Sequence, residues 1–194
     1  MDVTSNHVRG IVPMLQDRFP NPNEALGKGK AKVADNRSDW EKAVDCLHFN
    51  EDGNVYSPAE GIEKCIQHGA KRIIKKGRTT WVRDFETGII VSTIEPLVLV
   101  DGEPIHRDNL EGKVVVDARA AINHNAPGNP KVWKVRAKIP VWEVKFESQV
   151  INPTIPFAVF EEALILGGLY NGLGAYRTSP RFSKFDVVSC ELIG

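Results

Sequence analysis

The stretch SPAEGIEKCIQHGAKRI, residues 57–73, carries the strongest local signal in the chain. Ser57 followed by Pro58 and Glu60 predicts a capping box, with the serine as N-cap and the glutamate as third helical residue. Behind it, apolar residues recur at helical spacing and define one buried stripe: Ile62, Cys65, Ile66 and Ile73. We predict an amphipathic helix from about residue 58 to residue 75 whose other face is basic.

The segments around this helix read as strands and one further long helix. Strands are predicted at residues 8–12, 88–100 with a break at Pro96, 113–122, 133–146 with a bend near Pro140 and Trp142 in the core, and 182–192. The second helix is expected to open at Asn152 and to stop at Gly167-Gly168. A helix after the first strand and another before the last strand predict an α+β, ferredoxin-like fold.

Two stretches interrupt this order. Residues 19–39 are rich in Pro, Asn, Gly and Lys, which predicts a long mobile loop inserted near the N-terminus. A short helix is expected after it, at residues 40–49. The turn-rich residues 101–132 predict an inserted β-ribbon.

The charges are balanced overall and uneven locally. The chain has 25 Lys and Arg against 25 Asp and Glu. Residues 64–83 nevertheless contain no acid and seven bases: Lys64, Lys71, Arg72, Lys75, Lys76, Arg78 and Arg83. A focused basic surface indicates a polyanionic partner, although a solvated helix face gives the same pattern. Trp81 among these cations fits a surface for single-stranded nucleic acid or a loop anchored by one tryptophan.

A glycine-rich loop, GGLYNGLGAYRTSPRF, covers residues 167–182. Gly172 and Gly174 would let backbone N–H groups approach a phosphate, and Tyr176, Arg177 and Arg181 would add a stacking ring and charge. The glycines follow a helix and precede a strand, which excludes a Rossmann fingerprint, and no Walker A sequence is present. A tight connection that needs glycine only for its conformation is the alternative.

Three segments resemble the RAMP superfamily of CRISPR-associated proteins. They are GLGAYR followed by RF at residues 172–182, LHFNEDGNVYSPAEGI at residues 47–62, and VRGIVPM at residues 8–14. The nearest resemblance is to stand-alone relatives encoded by phages or mobile elements. Ser179-Pro180-Arg181 departs from the pattern, since a second glycine cluster is usual there.

The resemblance implies a modified RRM-type domain over residues 1–194, with residues 101–132 as a thumb. It implies an RNA-binding backbone-type subunit that multimerises along single-stranded RNA, including guide RNA, in a filament or ribonucleoprotein complex without sequence specificity. The residues expected to contact RNA, through phosphates, base stacking or loop backbone, are Lys71, Arg72, Lys75, Arg78, Trp81, Gly172, Gly174, Tyr176, Arg177 and Arg181.

The sequence favours a non-enzymatic function without deciding it. The five histidines show no metal-binding spacing, and no cofactor or metal is expected. By analogy with RAMP nucleases, His7 would be the base of a metal-independent cleavage, and Asp17 or Asp35 the acid of a cleaving backbone subunit. For each of the three, an ordinary surface or loop residue is the better interpretation.

Composition limits the class of protein. With 42% apolar and 26% charged residues the chain is globular, and no apolar run approaches the ~18 residues of a membrane span. The first residues lack a signal-peptide core and the three cysteines form no CxxC pair, so we expect a cytoplasmic protein. Three alternatives stay open: a phage single-stranded DNA-binding or annealing protein, an inhibitor that mimics a CRISPR subunit, and a metal-independent endoribonuclease.

Overall fold

The structure is a computed structural model that describes residues 2–18, 36–122, 128 and 131–193. In chain order these residues form β1 (Asp2–Gly10), β2 (Met14–Gln16), α1 (Asp39–Asp45), α2 (Ala59–Ala70), β3 (Ile74–Lys76), β4 (Thr79–Thr80), α3 (Val82–Gly88), β5 (Ile89–Val91), β6 (Val98–Val100), β7 (Glu103–Pro104), a 3-10 turn (Arg107–Asn109), β8 (Val115–Ile122), β9 (Lys131–Ile139), β10 (Glu143–Val150), α4 (Phe157–Tyr170) and β11 (Phe185–Leu192). The α+β class predicted from the sequence is confirmed.

The main sheet has the strand order β11-β1-β10-β6-β7, with β5 also paired to β10 and every pair antiparallel. Alternate residues of β1 and β10 point to one face, where Val8, Val144 and Phe146 are buried. Helices α2 and α4 pack against each other and join the same apolar core through Ile66 and Leu164. The opposite face of the sheet is not covered by these two helices.

A second antiparallel sheet has the order β2-β9-β8. The sequence prediction of one bent strand over residues 133–146 is wrong, because β9 and β10 belong to different sheets. The separation has a physical cause at Pro140 and Trp142. Proline donates no ladder hydrogen bond, and Trp142 is fully buried, as predicted, with its Nε1 donating to the Val12 carbonyl at 2.9 Å.

The N-terminus of α2 differs from the predicted capping box. Ser57 is buried, and its backbone N–H, which a capping box would give to Glu60, donates to the Pro96 carbonyl at 2.9 Å. The N-cap is Pro58, and no side chain caps the helix. A capping box is present instead at Ser38 and Glu41 of α1. Helix α2 also ends at Ala70 rather than near residue 75, because the chain continues into the β3–β4 hairpin.

Helix α4 begins at Phe157 and runs to Tyr170, so the predictions of its start at Asn152 and of its end at Gly167-Gly168 are wrong. Both glycines lie inside the helix at close contacts. A Cβ atom on Gly167 would lie 2.5 Å from the Cys65 carbonyl oxygen. The glycines permit close packing between elements and do not terminate the helix.

The remaining sequence predictions have mixed outcomes. Two short strands do flank Pro96, a strand occupies most of residues 113–122, and β11 closes the sheet. Most of the predicted mobile loop, residues 19–35, lies outside the described residues, as do residues 123–127, 129 and 130 of the predicted ribbon. No helix in the described part of the chain is long and apolar enough to cross a membrane.

Candidate nucleic-acid interface

Two pockets lie along helix α2 and the loop that follows α4, one at each end of the helix. The C-terminal pocket, of about 540 Å³, is lined by His68, Lys71, Arg72, Tyr170, Asn171 and Thr178. The N-terminal pocket, of about 300 Å³, is lined among others by Gln16, Asp17, Ser57, Gly61, Gly174 and Arg177. Because both pockets share α2 and the loop, we call them together the α2 groove.

Helical spacing explains which side chains of α2 reach the groove. Gly61 and His68 lie two turns apart on one helix face, and Lys64 lies between them. Lys71 and Arg72 follow immediately after the last turn and are exposed. The basic face of the predicted helix and the glycine-rich loop are therefore on the same side of the molecule.

The loop glycines are needed for shape. Gly172 and Gly174 have φ angles of 78° and 77°, which side chains rarely adopt. A Cβ atom would lie 2.1 Å from the Ser183 carbonyl oxygen at Gly172 and 2.3 Å from the Leu15 carbonyl oxygen at Gly174. Both residues bring the loop close to neighbouring backbone.

The expected donation from the Gly172 N–H to a phosphate is contradicted by the structure. This group donates to the Gly167 carbonyl at 2.8 Å, and the next N–H, of Leu173, donates to Ser183 at 3.0 Å. Ala175 likewise donates to Leu15 at 2.7 Å. For Gly172, the alternative interpretation of a conformational glycine fits the hydrogen bonding.

A buried lysine holds this loop in place. Lys184 is only 5% exposed, and its Nζ donates to the carbonyl oxygens of Asn171, at 2.8 Å, and of Arg177. Burial lowers the pKa of Lys184 below its ordinary value. The ammonium group thus joins the C-terminal end of α4 to the segment that carries Arg177.

The predicted cations differ in their surroundings. Among the described residues, no carboxylate forms an ion pair with Lys71, Arg72 or Arg177. The Arg72 guanidinium lies 3.9 Å from the centre of the Tyr170 ring. Lys75 is instead paired with Asp84 at 2.7 Å, outside the groove.

The other predicted contact residues are spread over two surfaces. Trp81 is half-buried against the core, with the Lys75 ammonium 4.5 Å from its ring centre, as expected for a loop anchor. Arg78 is exposed at the turn of the β3–β4 hairpin, and Arg181 is exposed before β11. Neither arginine lines either pocket.

Tyr176 is in the loop with its ring half-exposed. The Arg136 guanidinium lies 4.4 Å from the ring centre, so one face of the ring is occupied. Arg136 and Lys134 also pair with Asp17, at 3.0 Å and 2.9 Å. The carboxylate at the N-terminal pocket is therefore neutralised by two cations.

The residues considered for catalysis are not assembled into a site. His7, the candidate base, follows the strand alternation to the sheet face opposite the helices, where its Nε2 lies 2.7 Å from Glu143 Oε2. Asp17 is ion-paired, and Asp35 lies outside the described residues. Burial raises the pKa of Cys65 to about 12, which keeps this thiol protonated. In the described part of the chain, no group of His, Cys, Asp and Glu could hold a metal ion.

The open face of the main sheet has a different charge character from the groove. Strand pairing places Glu143 between Arg9 and His7, and Glu147 and Asp186 are exposed on the same face. Although burial raises the pKa of Glu143, hydrogen bonds from His7 and Arg9 lower it more, so the carboxyl stays ionised. This face offers no concentrated positive charge.

Three polar residues of the groove were not identified from the sequence. His68, Asn171 and Lys184 are connected through Asn171, whose Oδ1 lies 2.7 Å from His68 Nδ1 and whose carbonyl accepts from Lys184. His68 could have been found from its position four residues after Lys64 on the basic face. Nothing in the local sequence indicates that Lys184 is buried.

The chain is similar in structure to a chain of the Type III-B Cmr-beta bound to cognate target RNA, with a TM-score of 0.55 and 13% identity over 99% of this chain. It spans 60% of the length of that chain. Cmr6 from Pyrococcus furiosus matches with a TM-score of 0.47 and 9% identity, over 96% of this chain and 98% of Cmr6. No protein-family model and no curated protein matches the sequence. At such an identity the first likeness shows the fold alone.

Proposed function

We propose that this chain binds single-stranded RNA through the α2 groove, without sequence specificity, as a backbone-type subunit. The observation that carries the proposal is that Lys71 and Arg72 line one pocket of the α2 groove and Arg177 lines the other, none of them with a described carboxylate partner, in a chain of zero net charge. The fold supports it, because the Cmr-beta chain of similar structure comes from a complex bound to target RNA.

The groove suits a backbone more than bases. Cations that follow a helix face attract phosphates and release counterions, and this contribution is independent of sequence. Tyr176 offers the ring face that Arg136 does not occupy for stacking, which tolerates every base. The arrangement therefore fits shape and charge recognition of a single strand, including a guide RNA.

We extend the proposal to the architecture. The strand order β11-β1-β10-β5, with α2 and α4 on one face, supports a ferredoxin-like, modified RRM-type core. We propose residues 101–132 as the thumb of a single RAMP-like domain; this segment includes β8, which pairs with β9 in the second sheet. In this arrangement the thumb would reach the RNA held by a neighbouring copy.

Self-association has support in α4. Buried helices are apolar all round, whereas surface helices have one polar face. The outer row of helix α4 begins with the exposed Glu162 and continues with two apolar residues, Ile165 and Leu169, which are one turn apart and 40% and 43% exposed. We propose that a second copy covers this outer row when the chain multimerises along RNA.

Binding to a labelled single-stranded RNA, measured by fluorescence anisotropy, tests the proposed function. Lys71→Glu with Arg72→Glu should weaken binding by about tenfold or more. The slope of the logarithm of the binding constant against the logarithm of the salt concentration should become shallower by about 1.4, which is about 0.7 for each lost phosphate contact. The matched control is Arg83→Glu with Lys145→Glu, an exposed arginine and an exposed lysine that lie outside both pockets and outside residues 101–132, with the same change in net charge. Equal losses in both variants would contradict the proposal.

The same assay separates the alternatives. A deoxyribo-oligonucleotide of the same sequence that binds as tightly as RNA would favour a single-stranded DNA-binding protein. RNA shortened in the presence of EDTA would favour a nuclease. Absence of binding to either nucleic acid would contradict the proposal and favour a protein-binding inhibitor.

A further inference from the structure

The C-terminal pocket holds a histidine whose protonation geometry can be read from its neighbours. Asn171 Nδ2 donates to the Gly172 carbonyl at 3.2 Å, which turns Oδ1 of the same amide toward His68. Because this oxygen only accepts, His68 Nδ1, 2.7 Å away, carries a hydrogen and donates to it. The second ring nitrogen, Nε2, is left for the pocket.

Every charged side chain that lines this pocket is a cation. Lys71 and Arg72 line it together with the neutral Tyr170, Asn171 and Thr178. Beyond the pocket lining, Lys64 lies about one turn before His68 on α2. From the segments after α4, Arg177 follows in the loop, and the Lys184 ammonium donates to the carbonyl of Asn171, the residue that binds His68. A ligand of this pocket must supply negative charge.

We propose that the C-terminal pocket is a phosphate-binding site in which His68 Nε2 donates a hydrogen bond to a phosphate oxygen between Lys71 and Arg72. The Thr178 hydroxyl, also at the pocket, is a further donor. The inference rests on the proposed function for the origin of the phosphate, which is either an internal phosphodiester of RNA or a terminal phosphate. Both share the tetrahedral oxyanion that the pocket recognises.

The geometry makes binding dependent on pH. With its hydrogen on Nδ1, the neutral ring has only a lone pair at Nε2, and a phosphate oxygen in a diester only accepts. The contact therefore forms when the ring takes up one proton, which moves from solvent to Nε2. Because a proton is taken up on binding, binding becomes tighter as the pH falls.

Sulfate is a suitable probe because it is a tetrahedral dianion that does not titrate between pH 6 and 8. We expect its affinity, followed by the NMR signals of the His68 ring, to be about threefold or more higher at pH 6 than at pH 8. Equal sulfate affinities at the two pH values, or His68 ring signals that do not respond to sulfate, would overturn the proposal.

Two substitutions separate the role of Nε2 from the hydrogen bond to Asn171. His68→Asn places an amide N–H near the position of Nδ1, keeps the bond to Asn171 and removes the pocket donor. His68→Gln places an amide N–H near the position of Nε2 and donates at every pH. We expect His68→Asn to bind sulfate weakly, His68→Gln to bind it better, and both to lose the pH dependence. An unchanged pH dependence in both variants would overturn the inference.

RNA oligonucleotides of one sequence, with a 5′-phosphate or a 5′-hydroxyl, identify the source of the phosphate. Tighter binding of the phosphorylated oligonucleotide that is lost in His68→Asn assigns the pocket to a terminal phosphate. Equal binding of both, weakened in His68→Asn, assigns it to an internal phosphodiester. If RNA affinity falls with Lys71→Glu but not with His68→Asn, the phosphate-site inference is overturned and the proposed RNA binding stands. If the protein binds sulfate but not RNA, the proposed function is overturned and the phosphate site stands.

Discussion

Lys184 shows how one buried side chain shapes the groove. Its ammonium group satisfies two backbone carbonyls, those of Asn171 and Arg177, that lie in different segments. Lys184→Met keeps a long unbranched side chain, one atom shorter than lysine, and leaves both carbonyls without this donor. We expect the free energy of unfolding, from urea titration, to fall by about 1–3 kcal/mol. Lys76→Met, at an exposed lysine, is the control and should change it by less than about 0.5 kcal/mol.

The same residue predicts a pH dependence of stability. Burial lowers the pKa of Lys184 in the folded chain, whereas the unfolded chain has the ordinary value near 10.4. Between these two values the unfolded state binds more protons, so stability rises with pH in this window. The stability of the wild type relative to Lys184→Met should therefore increase from pH 8 to pH 10. A difference that stays constant or shrinks in urea titrations at these two pH values would contradict the assignment.

At the scale of elements, glycines set the distance between α2 and α4. A Cβ atom on Gly69 would lie 1.8 Å from the Ala163 carbonyl oxygen, whereas at Gly61 of the same helix no atom lies within 4 Å. Gly69→Ala should lower the thermal midpoint and the unfolding free energy by about 2 kcal/mol or more, because the helices must separate. Gly61→Ala should raise the unfolding free energy by up to about 1 kcal/mol, the gain in helix propensity. A similar effect of both substitutions would show that the helix contact is loose.

The same glycines mark where sequence reasoning failed. Alternation and apolar spacing identified the long helices and most strands, since these patterns depend on local burial. Gly167-Gly168 reads as a helix end in isolation, and only the nearby Cys65 carbonyl explains it as a contact inside a helix. The local sequence around Ser57 likewise predicts an N-cap, but in the structure the Ser57 backbone N–H donates to the Pro96 carbonyl. Tertiary contacts therefore decide where α2 begins and where α4 ends, against the local sequence signals.

The candidate site was predicted in part. Lys71, Arg72 and Arg177 were identified by charge and loop context, and the structure brings them to one groove. Lys75 and Trp81 were grouped with them by sequence proximity, but the chain turns into a hairpin after α2 and carries them away. His68 could not be given a role, because its partner Asn171 is 103 residues distant in the sequence.

At the scale of the whole molecule, opposite faces differ in character. The groove side has unpaired cations among the described residues, whereas on the open sheet face Glu143 pairs with His7 and Arg9, and the exposed Lys145 lies among the acids Glu147 and Asp186. Although the net charge of the chain is zero, its charges are therefore unevenly distributed between the two faces. This explains how a neutral chain could bind a polyanion on one side without repelling further copies that bind the same strand.

The outer row of α4 predicts how copies associate on RNA. If a second copy covers Ile165 and Leu169, long RNA should bind several copies cooperatively, and the particle mass should rise in regular steps with RNA length. Ile165→Glu with Leu169→Glu should weaken this cooperative binding by about tenfold or more, because it places two charges in an apolar contact. Affinity for an RNA that spans a single copy should stay unchanged, since neither residue lines the groove.

The control for this prediction is Ile94→Glu, at an isoleucine that is 79% exposed on the segment between β5 and β6. It adds the same kind of charge to an apolar surface residue outside α4. Analytical ultracentrifugation of each variant with RNAs of increasing length gives the number of copies bound per strand. Particles that keep growing with the α4 variant would place the contact between copies elsewhere on the molecule. Growth that fails equally with Ile94→Glu would show a general effect of charge on assembly and remove the case for α4.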